Sequence, residues 1–437
     1  MAEKKRIYLC LAHMSDEGIE QKYIKEAFDT NWVVPLGPNV NGFEKDLEEF
    51  VNQNDKIEGL KNESLSKRVV ALSAGTAAVH LALLACGVGP GDEVCVQSFT
   101  FCASSHPITY LGATPVFIDS ERETWNMDPE LLEKAIIDRK EKTGKYPKAI
   151  VPVALYGMPY RIDRIMEIAD KYGIPVIEDA AEGFGSKFKG KVLGTFGKYG
   201  VLSFNGNKMI TTSGGGALIT ENEDEWREIM MYATQYRESY PYYQHEKIGY
   251  NYRMSNICAG IGRGQMTVAN DHIAHHKHVQ ALYEELLKDV KGITVHSQPS
   301  DICPQTSLPV YDSNYWLCTI TLDSYLKIKG QENAYKTIVT GAVGGAAGVI
   351  HAASSATTDC QPNDNVEALR VALDQAQIEA RPVWKPMHKQ PVYQNAPAYV
   401  NGVSEEIFKI GMCLPAGPYV SDEDVKYIVD TIKASIL

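Results

Sequence analysis

Between residues 68 and 220 short apolar runs alternate with amphipathic stretches, and this alternation restricts the fold more than any other feature. "RVVALS" (68–73) leads into "TAAVHLALLAC" (76–86), and "DEVCVQ" (92–97) and "TPVFID" (114–119) follow. "KAIVPVALYG" and "IPVIEDAAE" bracket "RIDRIMEIADKYG", whose apolar residues have helical spacing and which stops on a glycine. "DPELLEKAIIDRK" opens on aspartate and proline, as capped helices do. Near-continuous apolar strands separated by such helices predict an α/β fold, a mainly parallel sheet covered on both faces. Sheets of this kind bind ligands at the carboxyl ends of their strands.

A chain of 437 residues exceeds what one simple core supports, so two closely packed domains are expected. The large one is predicted over 1–256. A helical stretch from Ile257 to Asp289 then leads into a smaller α+β domain over 257–437. Its strands are predicted in "ITVHSQ", "YWLCTITL" and "IEARPVW", and "SDEDVKYIVDTIKASIL" reads as a capped terminal helix. The small-residue segment at about 337–365 matches neither the P-loop nor the dinucleotide spacing and is read as a surface insertion.

Composition narrows the partners. The net charge of −12 argues against nucleic acid or an anionic membrane. Nine cysteines without a CxxC pair suggest reduced, buried thiols rather than a disulfide framework or a zinc site. The N-terminal apolar run is only about six residues and no cleavage site follows it, so no leader is expected. No apolar stretch reaches the roughly 20 residues of a spanning helix, and a cytoplasmic protein is expected. "DHIAHHKHVQ" places His272 at helical spacing from His275 and His276, but no acidic or cysteine ligand completes a metal set. A polar helix face is the simpler reading.

Four segments sit at predicted strand ends. "LSAGTAAVH" puts Gly75, Thr76 and Ala77 where a strand becomes a helix, either a plain turn or a phosphate cradle at a helix N-terminus. "VIEDAAEGFGS" ends a buried strand on Glu178 and Asp179, carboxylates that are costly there unless they meet a cation or donors. Either a cap or core ion pair accounts for them, or a counter-ion to a heterocyclic nitrogen. "SFTFCASS" places Phe101 beside that edge, as core or as a stacking ring. "SFNGNKMITTSGGGALIT" holds Lys208, with no residue of opposite charge nearby in the sequence. An enclosed lysine loses its proton readily and becomes a nucleophile toward aldehydes. Phosphate cradle, stacking ring, carboxylate and lysine together describe a pyridoxal 5′-phosphate site.

In the order GTAAxH, SFTF, EDAAE, SFNGNK and GYNYRMSN, the chain resembles the DegT/DnrJ/EryC1/StrS sugar aminotransferases from about residue 7 to its end. The resemblance implies a type I aminotransferase fold and a homodimer with active sites at the subunit interface. It implies that Lys208 attaches to the cofactor aldehyde and moves the proton between the donor's α-carbon and C4′. Asp179 would pair with the pyridine nitrogen, Phe101 would cover the ring, and Thr76, Ala77 and Ser203 would grip the phosphate. Asn251 would reach that phosphate from the neighbouring subunit. L-glutamate would donate the amino group. Relatives that dehydrate a deoxysugar carry histidine at the lysine position, and a non-catalytic regulator would be expected to lose Lys208 or Asp179; both are present.

"DTNWVVPLGPNVNGFE" and "RPVWKPMHKQPVY" resemble transaminases of UDP-4-keto-6-deoxy-N-acetylglucosamine, the step toward bacillosamine-type sugars. Glu182 stands where many relatives carry His or Gln and would lie near the ring oxygen. "TTSGGG" departs from the commoner "GEGG". Asn31, Trp32, Arg253, Tyr315 and His388 are the substrate-side candidates. A GDP-linked 4-keto sugar or a 3-keto sugar remains the alternative substrate.

Overall fold

The computed structural model describes residues 5–53, 67–335 and 360–437. Helices α1 (Ile19–Asp29) and α2 (Pro38–Val51) precede the alternating region. That region runs β1 (Arg68–Leu72), α3 (Gly75–Ala85), β2 (Glu93–Gln97), α4 (His106–Tyr110), β3 (Thr114–Ile118) and α5 (Pro129–Thr143). It continues through β4 (Ala149–Val151), α6 (Ile162–Tyr172), β5 (Ile177–Asp179) and the short hairpin β6 (Lys187–Phe188) and β7 (Lys191–Val192). It closes with β8 (Tyr199–Ser203), β9 (Gly216–Thr220) and α7 (Glu223–Ala233). Asp128 caps α5 by accepting from the N–H groups of Glu130 and Leu131, and Gly173 ends α6 in the left-handed region. Both ends agree with the sequence reading.

The sheet is mixed. β3, β2 and β4 are parallel, and single parallel bridges, Ile150 to Val176 and Val153 to Asp179, carry the ladder from β4 to β5. β5 and β8 are parallel, whereas β9 runs against both β8 and β1. Its sides are apolar on both faces: Val69 and Ala71 face one core, Val70 and Leu72 the other. Burying each large aliphatic side chain contributes about 1.5–3 kcal/mol.

The expected single helix over 257–289 is two: α8 (Asn256–Met266) and α9 (Ala269–Leu287). The break follows from close packing. A Cβ at Gly262 would stand 2.7 Å from the Phe43 ring, and one at Gly264 2.6 Å from the backbone nitrogen of Glu20. These glycines let α8 lie on α1 and α2. Thr267 then donates to the Gly264 carbonyl through both its N–H and its hydroxyl, at 3.1 and 2.6 Å, which diverts the chain.

The second layer holds β10 (Ile293–Val295), β11 (Tyr311–Asp312), β12 (Cys318–Leu322), α10 (Asp364–Gln375) and β13 (Arg381–Pro382). β14 (Ala398–Tyr399), α11 (Val403–Ile410), β15 (Gly411–Leu414) and α12 (Asp422–Ser435) complete the chain. An antiparallel sheet in the order β10-β12-β15-β13 packs on α9, α10 and α12 around Tyr283, Leu369 and Ile428. Ser421 and Asp424 form the capping box of α12. Two elements depart from this layer: β11 pairs with β6, and β14 adds a parallel edge strand to β3. Most of the segment read as an insertion lies outside the described residues. All nine cysteines are free thiols, six of them buried.

Candidate active site

A cavity of about 280 Å³ opens where the carboxyl ends of β1, β5 and β8 meet. Each strand contributes its end or the residues after it: Ser73 to Thr76 after β1, Asp179 at the end of β5 with Glu182 beyond, and Ser203 at the end of β8 with Asn205, Asn207 and Lys208 beyond. Phe101 and Ser104 enter from the loop after β2, and Trp316 and Trp384 close the cavity from the C-terminal half.

The two acids of "VIED" separate because successive strand residues face opposite sides. Glu178 accepts three backbone N–H groups, from Gly194, Phe196 and Gly197, and is an anchor for that loop. Asp179 faces the cavity, where it accepts from Ser104 Oγ at 2.6 Å and from the Ala181 N–H at 3.1 Å. Burial raises its pKa above the usual carboxylate range, against those two donors and the nearby Lys208. A cation brought to this wall would repay that desolvation.

Lys208 lies inside, its side chain 12% exposed. The sequence reading that it lacks a partner of opposite charge is corrected: Glu182 Oε1 stands 3.4 Å from its Nζ, and the Trp316 ring lies 4.0 Å away. Glu182 is too distant along the chain for local inspection to pair it. Burial raises its pKa, with the Lys208 charge opposing that shift. Its other oxygen accepts the Tyr156 N–H at 2.7 Å. Tyr156 has a left-handed backbone, φ 54°, which aims that N–H.

The N-terminus of α3 has no side-chain cap, so its first-turn N–H groups remain available beside Ser203. A Cβ at Gly75 would stand 3.0 Å from Ser203 Cβ, and one at Gly216 2.3 Å from the Gly75 nitrogen. The glycines bring strand and helix end together. Thr76 lines the cavity; Ala77 belongs to the same turn but is buried behind it. Phe101, half exposed, also lines the cavity, with its ring 5.4 Å from that of Trp384.

The structure therefore brings Gly75, Thr76, Phe101, Asp179, Glu182, Ser203 and Lys208 to one cavity. It does not bring the substrate-side candidates there within one chain. Arg253 is spent on Glu44 and the Ala71 carbonyl. His388 is held between Ser98 Oγ, at 2.7 Å, and Glu405, at 3.2 Å. The Tyr315 hydroxyl accepts from the Gln298 N–H, away from the cavity. Asn31 and Trp32 lie in an exposed loop, and exposed Asn251 accepts from Gln235 Nε2. His272 and His276 are bonded to the carbonyls of Met209 and Tyr315. Among the described residues no three His, Cys, Asp or Glu side chains gather as a metal site.

Asn205, Asn207, Ser104, Trp316 and Trp384 were not singled out from the sequence. The asparagines stand inside "SFNGNK" and could have been found as the polar flank of the lysine. Nothing local marks Trp316, which sits in a stretch read as strand.

The family model described as the DegT/DnrJ/EryC1/StrS aminotransferase family matches residues 15–336 and 331–433. The chain belongs to the DegT/DnrJ/EryC1/StrS family. It is 40% identical to EpsN of Bacillus subtilis (strain 168) over 432 residues, 98% of this chain and 95% of that protein. It is 33% identical to a GDP-perosamine synthase of Escherichia coli O157:H7, over 97% of this chain and 98% of that one. Among solved structures, a family aminotransferase from Brucella abortus superposes with TM-score 0.77 at 26% identity, covering 96% and 95% of the two chains. No helix among the described residues is long and apolar enough to cross a membrane.

Pyridoxal 5′-phosphate, the cofactor of this family, fits the residues present. Uncapped backbone donors suit its phosphate, the buried Asp179 suits a ring nitrogen that carries a proton, and Lys208 suits its aldehyde.

Proposed function

We propose that this nucleotide-sugar aminotransferase moves the amino group of L-glutamate onto the 4-keto carbon of a UDP-4-keto-6-deoxy-N-acetylhexosamine. The observation that carries the reading is Lys208 and Asp179 lining one cavity, beside an uncapped helix end. Pyridoxal phosphate, when bound, supplies a carbonyl for the amino group and a ring that accepts electrons. Asp179 holds the ring nitrogen charged. Thr76, Ala77, Ser203 and the first turn of α3 hold the phosphate, and Phe101 keeps water from one ring face. Lys208 Nζ would take the proton from the donor's α-carbon and pass it to C4′ of the cofactor, and in the second half it would move a proton from C4′ to the sugar carbon that gains the amine, so one base serves both halves. Glu182 receives the Lys208 ammonium whenever that amine is free.

A homodimer is part of the proposal: Asn251, exposed in one chain, would reach the phosphate of the other subunit. So is a division of the chain into residues 1–256 and 257–437. The UDP-linked acceptor is supported by the segments around Trp32 and Trp384. The GDP-linked 4-keto-6-deoxymannose is favoured by a different observation, the match to GDP-perosamine synthases over almost the whole chain.

The test supplies L-glutamate with UDP-, GDP- and dTDP-linked keto sugars in turn and follows 2-oxoglutarate. The UDP-4-keto sugar should give sustained release, and Lys208→Ala should give none while remaining folded. Release with the GDP-linked sugar alone would replace the acceptor. Normal multiple turnover by Lys208→Ala would remove the assigned base.

A further inference from the structure

Both groups that touch the Lys208 ammonium are held from behind by one buried amide. Asn314 is fully buried. Its Nδ2 donates to the carbonyls of Glu182 and Phe184, each at 2.9 Å, and its Oδ1 accepts the Trp316 N–H at 2.8 Å. Its own N–H donates to Ser186 Oγ at 2.9 Å, and that hydroxyl donates to the Gly157 carbonyl at 2.7 Å. Three segments meet here: the one bearing Glu182, the turn whose Tyr156 N–H donates to Glu182, and the one bearing Trp316. Both amide donors and the amide oxygen are used. The fit leaves no spare room, since a Cβ at Gly157, φ +93°, would stand 1.8 Å from Asn314 Oδ1.

We propose that Asn314 is a positioning residue that sets the Glu182 carboxylate and the Trp316 ring against Lys208, and thereby restrains the reactivity of that amine. Asn314 touches neither the lysine nor the cavity and acts through these two neighbours. The titratable groups that face Lys208 are Glu182, Asp179 and the Cys10 thiol of the N-terminal segment. Asp179 is fixed separately by Ser104, so a change at Asn314 reaches Lys208 through Glu182 and Trp316. Held against the carboxylate at 3.4 Å and the ring at 4.0 Å, Nζ is engaged by neighbours rather than free for attack. Releasing it exposes the amine to reagents.

The proposal rests on Lys208 as the reactive amine, and its test uses neither cofactor nor sugar. A failure here therefore leaves the aminotransferase reading standing, and the reverse holds too. The full chain freed of cofactor is treated with trace acetic anhydride, and acetylation of Lys208 is read by mass spectrometry. Asn314→Ser and Glu182→Gln should each raise the rate about tenfold, which corresponds to about 1.4 kcal/mol of barrier. The double variant should be no faster than the quicker single, because both changes remove one interaction. Cys10, buried beside the lysine, should stay closed to iodoacetamide. An unchanged rate in Asn314→Ser, multiplying rates in the double variant, or Cys10 opening in parallel would each overturn the proposal. Should Asn314→Ser not fold, Ser186→Ala decides by the same criteria, through the hydroxyl that joins Asn314 to Gly157.

Discussion

Asp179 shows how one buried acid links stability to function. Burial raises its pKa in the cofactor-free chain, so the folded state binds more protons than the unfolded state just above the ordinary carboxylate range. Stability from this group is thus present at low pH and lost as pH rises through the raised value. Asp179→Asn should remove that part of the slope, read as the denaturation midpoint across a pH series. The same substitution should cut turnover by about 10² or more, because the neutral amide no longer stabilises a charged ring nitrogen. A variant with wild-type turnover would show that the acid is only a structural anchor, as Glu178 is.

At the scale of elements, the cofactor end of the cavity depends on how closely β9 approaches α3. Gly216 begins β9, and its missing side chain admits the backbone of Ala74 and Gly75. Gly216→Ala would place a methyl group 2.3 Å from the Gly75 nitrogen, against backbone that cannot rotate away. The first turn of α3 must then move from Ser203, and the proposed phosphate donors with it. Titration with pyridoxal phosphate should show affinity at least about tenfold weaker, a loss of about 1.4 kcal/mol. Affinity within twofold of wild type would mean that the helix end is not the phosphate site.

For the whole molecule, α9 joins the two layers, and His276 is fully buried on it with Nδ1 bonded to the Tyr315 carbonyl. Burial pushes its pKa down to about 3 from an ordinary 6.5. Between those values the unfolded chain binds more protons, so stability falls as pH drops through that interval. The contribution is up to about 1.4 kcal/mol per pH unit. Thermal midpoints should fall steeply below about pH 6, and His276→Gln should flatten the curve. A curve of unchanged steepness would place the acid sensitivity in other groups. His296, also held near 3 by burial, stacks on Trp125 at 3.8 Å and adds to the wild-type slope.

The residues that line the cavity and are proposed to bear the chemistry were legible in the sequence because their signals are local. Apolar runs of strand length mark β1, β2, β3, β4 and β5, an aspartate-proline pair marks the start of α5, and Asp179 ends a strand while Lys208 follows one. What each side chain meets was not legible, because it depends on residues far apart in sequence. Glu182 meets Lys208 only when β5 and β8 lie side by side, and Asn314 lies 132 positions from the Glu182 carbonyl it bonds. Arg253 and His388 were read as substrate-side candidates, and only the fold shows their partners Glu44, Ser98 and Glu405. The amino-acid sequence alone determined the kind of sheet and pointed to the lysine and the acid proposed to react, through periodicity and side-chain chemistry. Only the tertiary structure decided which charges pair and which donors stay free, since those follow from distances that no local pattern encodes.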